Sequence, residues 1–393
     1  MLFLVDRGIA IVGYAETKLA RRSGKTAVAL AAEALSKLIA KTGVTRKQID
    51  GFATTLAMSE AGNPFWSNLL AENLGLTVSW CQATDLGGAS VIGNIARAAA
   101  AIHAGACKIA VCLAADAVSS QDISIQTGHR LRYSDPVGYA GPLTSFALLS
   151  SVYDKRHGLP RDALAKLAVA QRKGAVINEN ACEELRTPLT ERDYLDCRPV
   201  SDPLRLLDCV MRCDGANAFL VMSTALAKQM HFDKIVHPIA YGERINFDPC
   251  EESEDLLLTG FSEVAPRVFA AANMRASDVQ MLHLYDDFLI AVLLQLEQTG
   301  FCGPGEGGAF VSAHDVGFSG DLPLNPGGGQ ISCGQPGLAG GGVNAAECLR
   351  QMFGEADRRQ VKHHANAILT GIGFIQYARN WGSSNVMLLE RSR

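Results

Sequence analysis

Leu322 to Gly354 reads LPLNPGGGQISCGQPGLAGGGVNAAECLRQMFG, and the rest of the chain is best read outward from it. It opens with a glycine-dense loop in which Asn325 precedes Gly327, Gly328 and Gly329. Glycine here serves close backbone approach, so this is a rigid turn that shapes a cavity. Val343 to Phe353 reads as a helix, and a polar link carries the chain from it into a strand at Ala365 to Gly371.

That helix-to-strand step occurs twice. Ser90 to Ala104 is alanine-rich and helical, and Lys108 to Ala114 (KIAVCLA) is a buried strand. The polar turn entering a strand at Arg46 to Thr55 has its match at Ala276 to Tyr285. Upstream, Gly8 to Tyr14 is a strand candidate. From Lys25 to Lys41, Ala27, Ala31, Ala34, Leu35 and Leu38 fall at helical spacing. Strands alternating with helices predict a layered α/β fold, and the repeated steps predict a duplicated one. Ala115 to about Ser201, between the halves, is loop-rich and partly helical.

At 393 residues the chain exceeds one average domain, which predicts two large units or two halves of one. Hydrophobic residues make up 48% and charged residues 19%, enough for an extensive core and a surface partly covered by other subunits. The net charge of -4 and the lack of a basic block argue against nucleic acid and acidic membranes. The eleven cysteines include no CxxC pair, and Cys209 and Cys213 have no histidine cluster after them, so no zinc site is expected. Free thiols in a reducing cytoplasm fit better. The start, MLFLVDRGIAIVGYAET, has no basic n-region or cleavage site and reads as a first strand. No run of about 18 apolar residues predicts a membrane span.

The opening stretch resembles, without a gap, the segment of sterol-carrier-protein-type thiolases reading PxNxxGG…GHPxGAxG…E…RQLRG. Gln335 stands where those proteins carry a histidine. Their nucleophilic cysteine, activated at the N-terminus of a buried helix, falls at Gly88 within Asp85-Leu-Gly-Gly-Ala-Ser-Val. Their HDCF motif is Tyr285-Asp286-Asp287-Phe288 here, and their late HN or CxG motif is Leu369-Thr370-Gly371-Ile372-Gly373. The resemblance implies a duplicated five-layered α-β-α-β-α fold. Its halves would be 1–230, including a loop domain at about 115–201 that helps to hold coenzyme A, and 231–393. Nucleophile and base act as a unit, so losing both argues against thiolytic chemistry.

A YD-x-F motif with glycine at the cysteine position is similar to the lipid-transfer-protein-type homologues that act as steroid side-chain aldolases. So are Leu294-Gln-Leu-Glu-Gln-Thr-Gly-Phe-Cys-Gly-Pro-Gly-Glu and Pro203-Leu-Arg-Leu-Leu-Asp-Cys. Those aldolases carry a further tyrosine in the glycine-rich segment, whereas Gln335 to Gly342 has none. The implied activity is retro-aldol cleavage of a β-hydroxyacyl-CoA with a steroid or other bulky acyl group. Coenzyme A would enter as part of the substrate, with no covalently bound cofactor. A homodimer and a small OB-fold/zinc-ribbon partner are implied too.

Strand alternation predicts His283, Tyr285 and Asp287 on one face and Asp286 on the other. A phenol with a pKa of about 10 is a poor base, and a neighbouring carboxylate raises it further. Tyr285 is therefore expected to relay a proton to a carboxylate or water, or to donate to the enolate. Backbone N–H groups near Gly371 and Gly373, with Gln335, are the expected oxyanion donors. Gly87 and Gly88 leave room for a bulky acyl group or else make a tight turn at positive φ. Ser90 reads as a helix cap, and Arg205 and Asp208 as an ion pair or turn contact. Two other readings stay open: a non-catalytic acyl-CoA-binding subunit, and a residual acyltransferase or thiolase using Cys333.

Overall fold

The computed structural model describes residues 2–3, 7–121, 136, 138–139, 141–247, 255–375 and 380–392. The first half runs β1 (Leu2–Phe3), β2 (Ile9–Glu16), α1 (Ala27–Thr42), β3 (Gly51–Thr55), α2 (Trp66–Asn73), β4 (Trp80–Thr84), α3 (Ser90–His103) and β5 (Ile109–Ala117). The insertion contains α4 (Pro142–His157), α5 (Arg161–Val176), α6 (Glu191–Asp196) and the hairpin β6 (Pro199–Ser201) with β7 (Leu204–Arg205). The chain returns through β8 (Asp214–Ser223) and α7 (Thr224–Gln229). The second half comprises β9 (Val236–Ile245), α8 (Phe261–Ala272), β10 (Leu282–His283), α9 (Leu289–Gln298), α10 (Gly307–Ala313), α11 (Gly329–Cys333), α12 (Gly341–Met352), β11 (Asn366–Ile375) and β12 (Trp381–Arg391).

The sheet order makes the duplication explicit. One side runs β3, β5, β8, β2 and the other β10, β11, β12, β9. In each, the first pair is parallel and the next two are antiparallel. The two runs touch at the pairing of Ile11 with Val236. β4 extends the first run and has no counterpart among the described strands of the second.

Burial explains the layers. β5 is apolar on both faces, as a strand covered on both sides must be. On its outer side α1 and α2 pack through Leu30, Leu35, Leu70, Phe52 and Val111. On the inner side α3 and α12 lie between the two runs, with Ala96, Ala99, Ala345 and Ala346 letting helix and sheet approach closely. α8 and α9 cover the far face of the second run through Phe261, Val268, Leu289 and Leu293. This is the expected α-β-α-β-α stack. A buried ion network ties the halves together: Glu347 pairs with Arg350 at 2.6 Å and Arg359 at 3.0 Å, and Arg350 reaches Glu16 on β2.

α1 is capped by Thr26, whose Oγ1 accepts from the Ala29 N–H at 3.2 Å, and ends at Gly43 with φ 72°. Ser90 is not the cap its sequence suggests: the cap position of α3 is Ala89, Ser90 is the first helical residue, and its Oγ accepts from the Leu86 N–H at 2.8 Å, pinning the turn before the helix. Asp208 is structural: it accepts the Arg205 N–H at 2.8 Å, bonds Tyr194 and pairs with Arg161 at 3.2 Å. Its ionic partner is therefore Arg161, and Arg205 contributes its backbone.

Candidate active site

The β10 ladder ends at His283, and beyond it side chains hold the backbone. The Tyr285 N–H donates to Thr370 Oγ1 at 2.9 Å, and the Thr370 hydroxyl donates to Gln295 Oε1 at 2.6 Å. Gln295 Nε2 donates back to the Tyr285 carbonyl at 2.7 Å. Asn325 and Asn344 both donate to the Leu284 carbonyl, at 2.9 and 2.8 Å. With the Val210 N–H on the Asp287 carbonyl, Leu284 to Asp287 is fixed although it is not strand. Asn325, at φ 46°, is thus a backbone clamp through its Nδ2, while its Oδ1 has no partner among the described residues.

This clamp sends the Tyr285 side chain to Gly88. A Cβ at position 88 would lie 2.0 Å from the Tyr285 hydroxyl oxygen and 2.4 Å from Cζ. The space expected for a bulky acyl group is therefore filled by the phenol. Gly87 has φ 58°, so the tight-turn reading is right for it. Gly371 and Gly373 are explained by packing. A Cβ on Gly373 would meet the Leu86 carbonyl, and one on Gly371 would lie 2.8 Å from Ala89 Cα. Their Cα faces let β11 lie against the Leu86–Ala89 turn, and an oxyanion role is not needed to account for them.

The acidic pair divides. Asp286 accepts from the Gln330 N–H at 2.9 Å, the Ile331 N–H at 3.3 Å and Asn344 Nδ2 at 3.0 Å. Asp287 Oδ1 has no partner among the described residues. Burial pushes both carboxyls up, to about 7 for Asp286, held lower by its donors, and about 8 for Asp287, raised further by Asp286. Asp286 is counterbalanced by three hydrogen-bond donors, whereas Asp287 has both burial and the Asp286 charge against its ionised form. Burial, and then the charge of Asp287, push the Tyr285 phenol far up. Gln335 Nε2 approaches the Tyr285 oxygen at 3.4 Å.

His283 does not join this group. It is fully buried, neither ring nitrogen has a partner among the described residues, and burial lowers its pKa to about 4. The charge it senses is Glu347. The alternation that put it beside Tyr285 fails because the strand stops at His283 itself. Cys333 lies among Leu19, Ala175, Cys182 and Cys213, with its thiol donating to the Gly327 carbonyl at 3.0 Å. Burial raises its pKa, the opposite of what a nucleophile requires.

Sequence reasoning missed Gln295, Thr370, Asn344 and Gln330. Gln295 carried a readable signal, a single amide inside the apolar run Leu289 to Leu296 that must find partners if buried.

A cavity of about 640 Å³ opens beside the site. Arg21, Arg22, Arg172, Arg198 and Arg212 line it with Leu189, Met211 and Ile331. Among the described residues none of these arginines has a carboxylate partner, and Arg172 is buried. The cavity and the Tyr285 site share backbone: the Val210 N–H bonds the Asp287 carbonyl and the Gln335 N–H bonds the Met211 carbonyl.

Comparison with known proteins gives this arrangement its family. The pattern described as "Thiolase, N-terminal domain" matches residues 9–184, and "Thiolase C-terminal domain-like" matches residues 242–382. The chain is 29% identical to the "Steroid side-chain-cleaving aldolase" of Thermomonospora curvata, over 82% of this chain and 85% of that one. It is 30% identical to the "17-hydroxy-3-oxo-4-pregnene-20-carboxyl-CoA lyase" of Mycobacterium tuberculosis, over 82% of this chain and 86% of that one. Among solved structures, the "Ltp2-ChsH2(DUF35) aldolase" superposes with a TM-score of 0.85 at 25% identity, covering 99% of both chains. A duplicated five-layered fold, both domain patterns and these relatives lead to one assignment: the chain belongs to the thiolase superfamily, near its side-chain-cleaving aldolases.

Proposed function

We propose that the protein is a carbon–carbon lyase that cleaves the side chain of a β-hydroxyacyl-CoA by a retro-aldol step, without a covalent acyl-enzyme. The observation that carries this reading is the Tyr285 hydroxyl in the space that a side chain at position 88 would need. A proton carrier stands where the related enzymes hold sulfur. Tyr285 takes the β-hydroxyl proton while passing its own to the Asp287 carboxylate. The Cα–Cβ bond breaks, its electron pair forms the thioester enolate, and the β-carbon leaves as a ketone or aldehyde. The enolate carbon then takes a proton back through Tyr285, so protons and electrons balance without a redox partner.

The arginine-lined cavity supports coenzyme A as the handle of the substrate. Its guanidiniums, without carboxylate partners among the described residues, suit phosphate groups, and its volume is that of a small-molecule site. Bulky acyl groups, steroids included, come from the names of the relatives. A small OB-fold/zinc-ribbon partner has support in the neighbouring complex structure. The homodimer reading is supported by the edge strand β4 and by the exposed Phe65 at the start of α2. A cytoplasmic setting suits the ten described cysteines, all free. In this reading the halves are residues 1–230 and 231–393.

Turnover of bulky β-hydroxyacyl-CoA thioesters, with the partner co-expressed, tests the reading. Tyr285→Phe should lower kcat by about 10²–10⁴-fold, the usual weight of general acid–base catalysis. Wild type and variant equally inert across such substrates would instead favour the non-catalytic acyl-CoA-binding subunit.

A further inference from the structure

The Gln330 side chain is fully buried, yet neither its Nε2 nor its Oε1 has a hydrogen-bond partner of good geometry among the described residues. A buried amide without partners is costly, so its position calls for a physical reason. Two contacts locate it. Its Oε1 lies against Gly340, where a Cβ would come within 2.3 Å. Its amide also lies close enough to the Tyr285 phenol to favour the ionised form, as does that of Gln335. Gln335 brings its Nε2 to 3.4 Å from the phenol oxygen, and a Cβ on Gly340 would lie 2.3 Å from Gln330 Oε1 and 3.0 Å from Gln335 Cγ, so the two amide side chains pack side by side at that end of Tyr285.

We propose that Gln330 and Gln335 are positioning residues, a preformed amide pair that stabilises the negative charge building on the Tyr285 oxygen as its own proton leaves for Asp287 and the β-hydroxyl proton arrives. A neutral phenol keeps one hydrogen on its oxygen and accepts weakly. A phenolate offers an additional acceptor site and draws donors closer. Donors waiting at slack distances suit the ionised oxygen better than the resting one, as preorganised stabilisation requires. The charged groups that face the phenol, Asp287 and Asp286, both oppose its ionisation. The two glutamines counter them without adding a charge.

The proposal rests on Tyr285 being the proton carrier, and its test is separable from turnover. 3,5-Difluorotyrosine, whose phenol is more acidic, is incorporated at position 285, and its ¹⁹F shift is followed against pH without substrate. Gln330→Met and Gln335→Met, similar in size but without N–H donors, should each raise the ionisation midpoint by about one unit. Gln330→Glu, which keeps the contact with Gly340 and adds negative charge, should raise it further and serves if Gln330→Met does not fold. In the natural enzyme, Gln330→Met should lower kcat about tenfold with KM little changed. A midpoint that stays put in Gln330→Met and Gln330→Glu would overturn the proposal, whatever turnover shows.

Discussion

Tyr285 and Gly88 are coupled by contact, and the coupling is measurable. Gly88→Ala forces a methyl group into the phenol and should destabilise the protein by about 1–3 kcal/mol, as overpacking does. In a Tyr285→Ala background the same change should cost almost nothing, so the cycle is strongly non-additive by denaturant unfolding. Asp287 gives a second test with a definite sign. Its folded pKa, pushed up to about 8 by burial and Asp286, lies above its unfolded value. The stability it contributes is full below about pH 4 and lost as pH rises through about 8. Asp287→Asn should therefore raise Tm relative to wild type by an amount that grows across that window and then levels off. In turnover the same group must be ionised to accept a proton, so wild-type kcat should climb through about pH 8 and the variant should lose that limb.

Among the elements, the segment after β10 is held by side chains instead of a ladder. Thr370→Val leaves the Tyr285 N–H without its acceptor and should cost about 1–3 kcal/mol in unfolding experiments. It should also lower kcat more than it raises KM, because the misplaced group is Tyr285. The same segment shows what the sequence conveyed and what it did not. The matches of Arg46–Thr55 with Ala276–Tyr285, and of α3–β5 with α12–β11, were legible because periodicity and turn chemistry are local. The motif at Tyr285 to Phe288 was legible as a site. The face of each residue was not, since alternation holds only while a strand continues. Nor could spacing reveal that Tyr285 fills the place of Gly88, a contact between distant parts of the chain. Gln330 and Asn344 were hidden for a related reason: their partners are backbone and phenol groups brought together only by folding.

Across the whole molecule, duplication sets the site where the two halves meet. Gly88 belongs to the first half and Tyr285 to the second, while the cavity arginines come from the insertion (Arg172 and Arg198), from the link between β2 and α1 (Arg21 and Arg22) and from the approach to β8 (Arg212). If those arginines hold the phosphates of coenzyme A, Arg172→Ala should weaken CoA binding about tenfold or more by calorimetry. Added salt should weaken the wild-type interaction. The Tyr285→Phe variant should bind CoA like wild type, which separates the handle from the chemistry.

Whether carbon–carbon cleavage proceeds without an acyl-enzyme is answered most directly by intact-protein mass spectrometry on acid-quenched turnover of a bulky β-hydroxyacyl-CoA. The ketone or aldehyde and the shortened acyl-CoA should accumulate while the protein mass stays unchanged at every quench time. A transient mass increase equal to the acyl group, mapped to Cys333 or any other side chain, would contradict it.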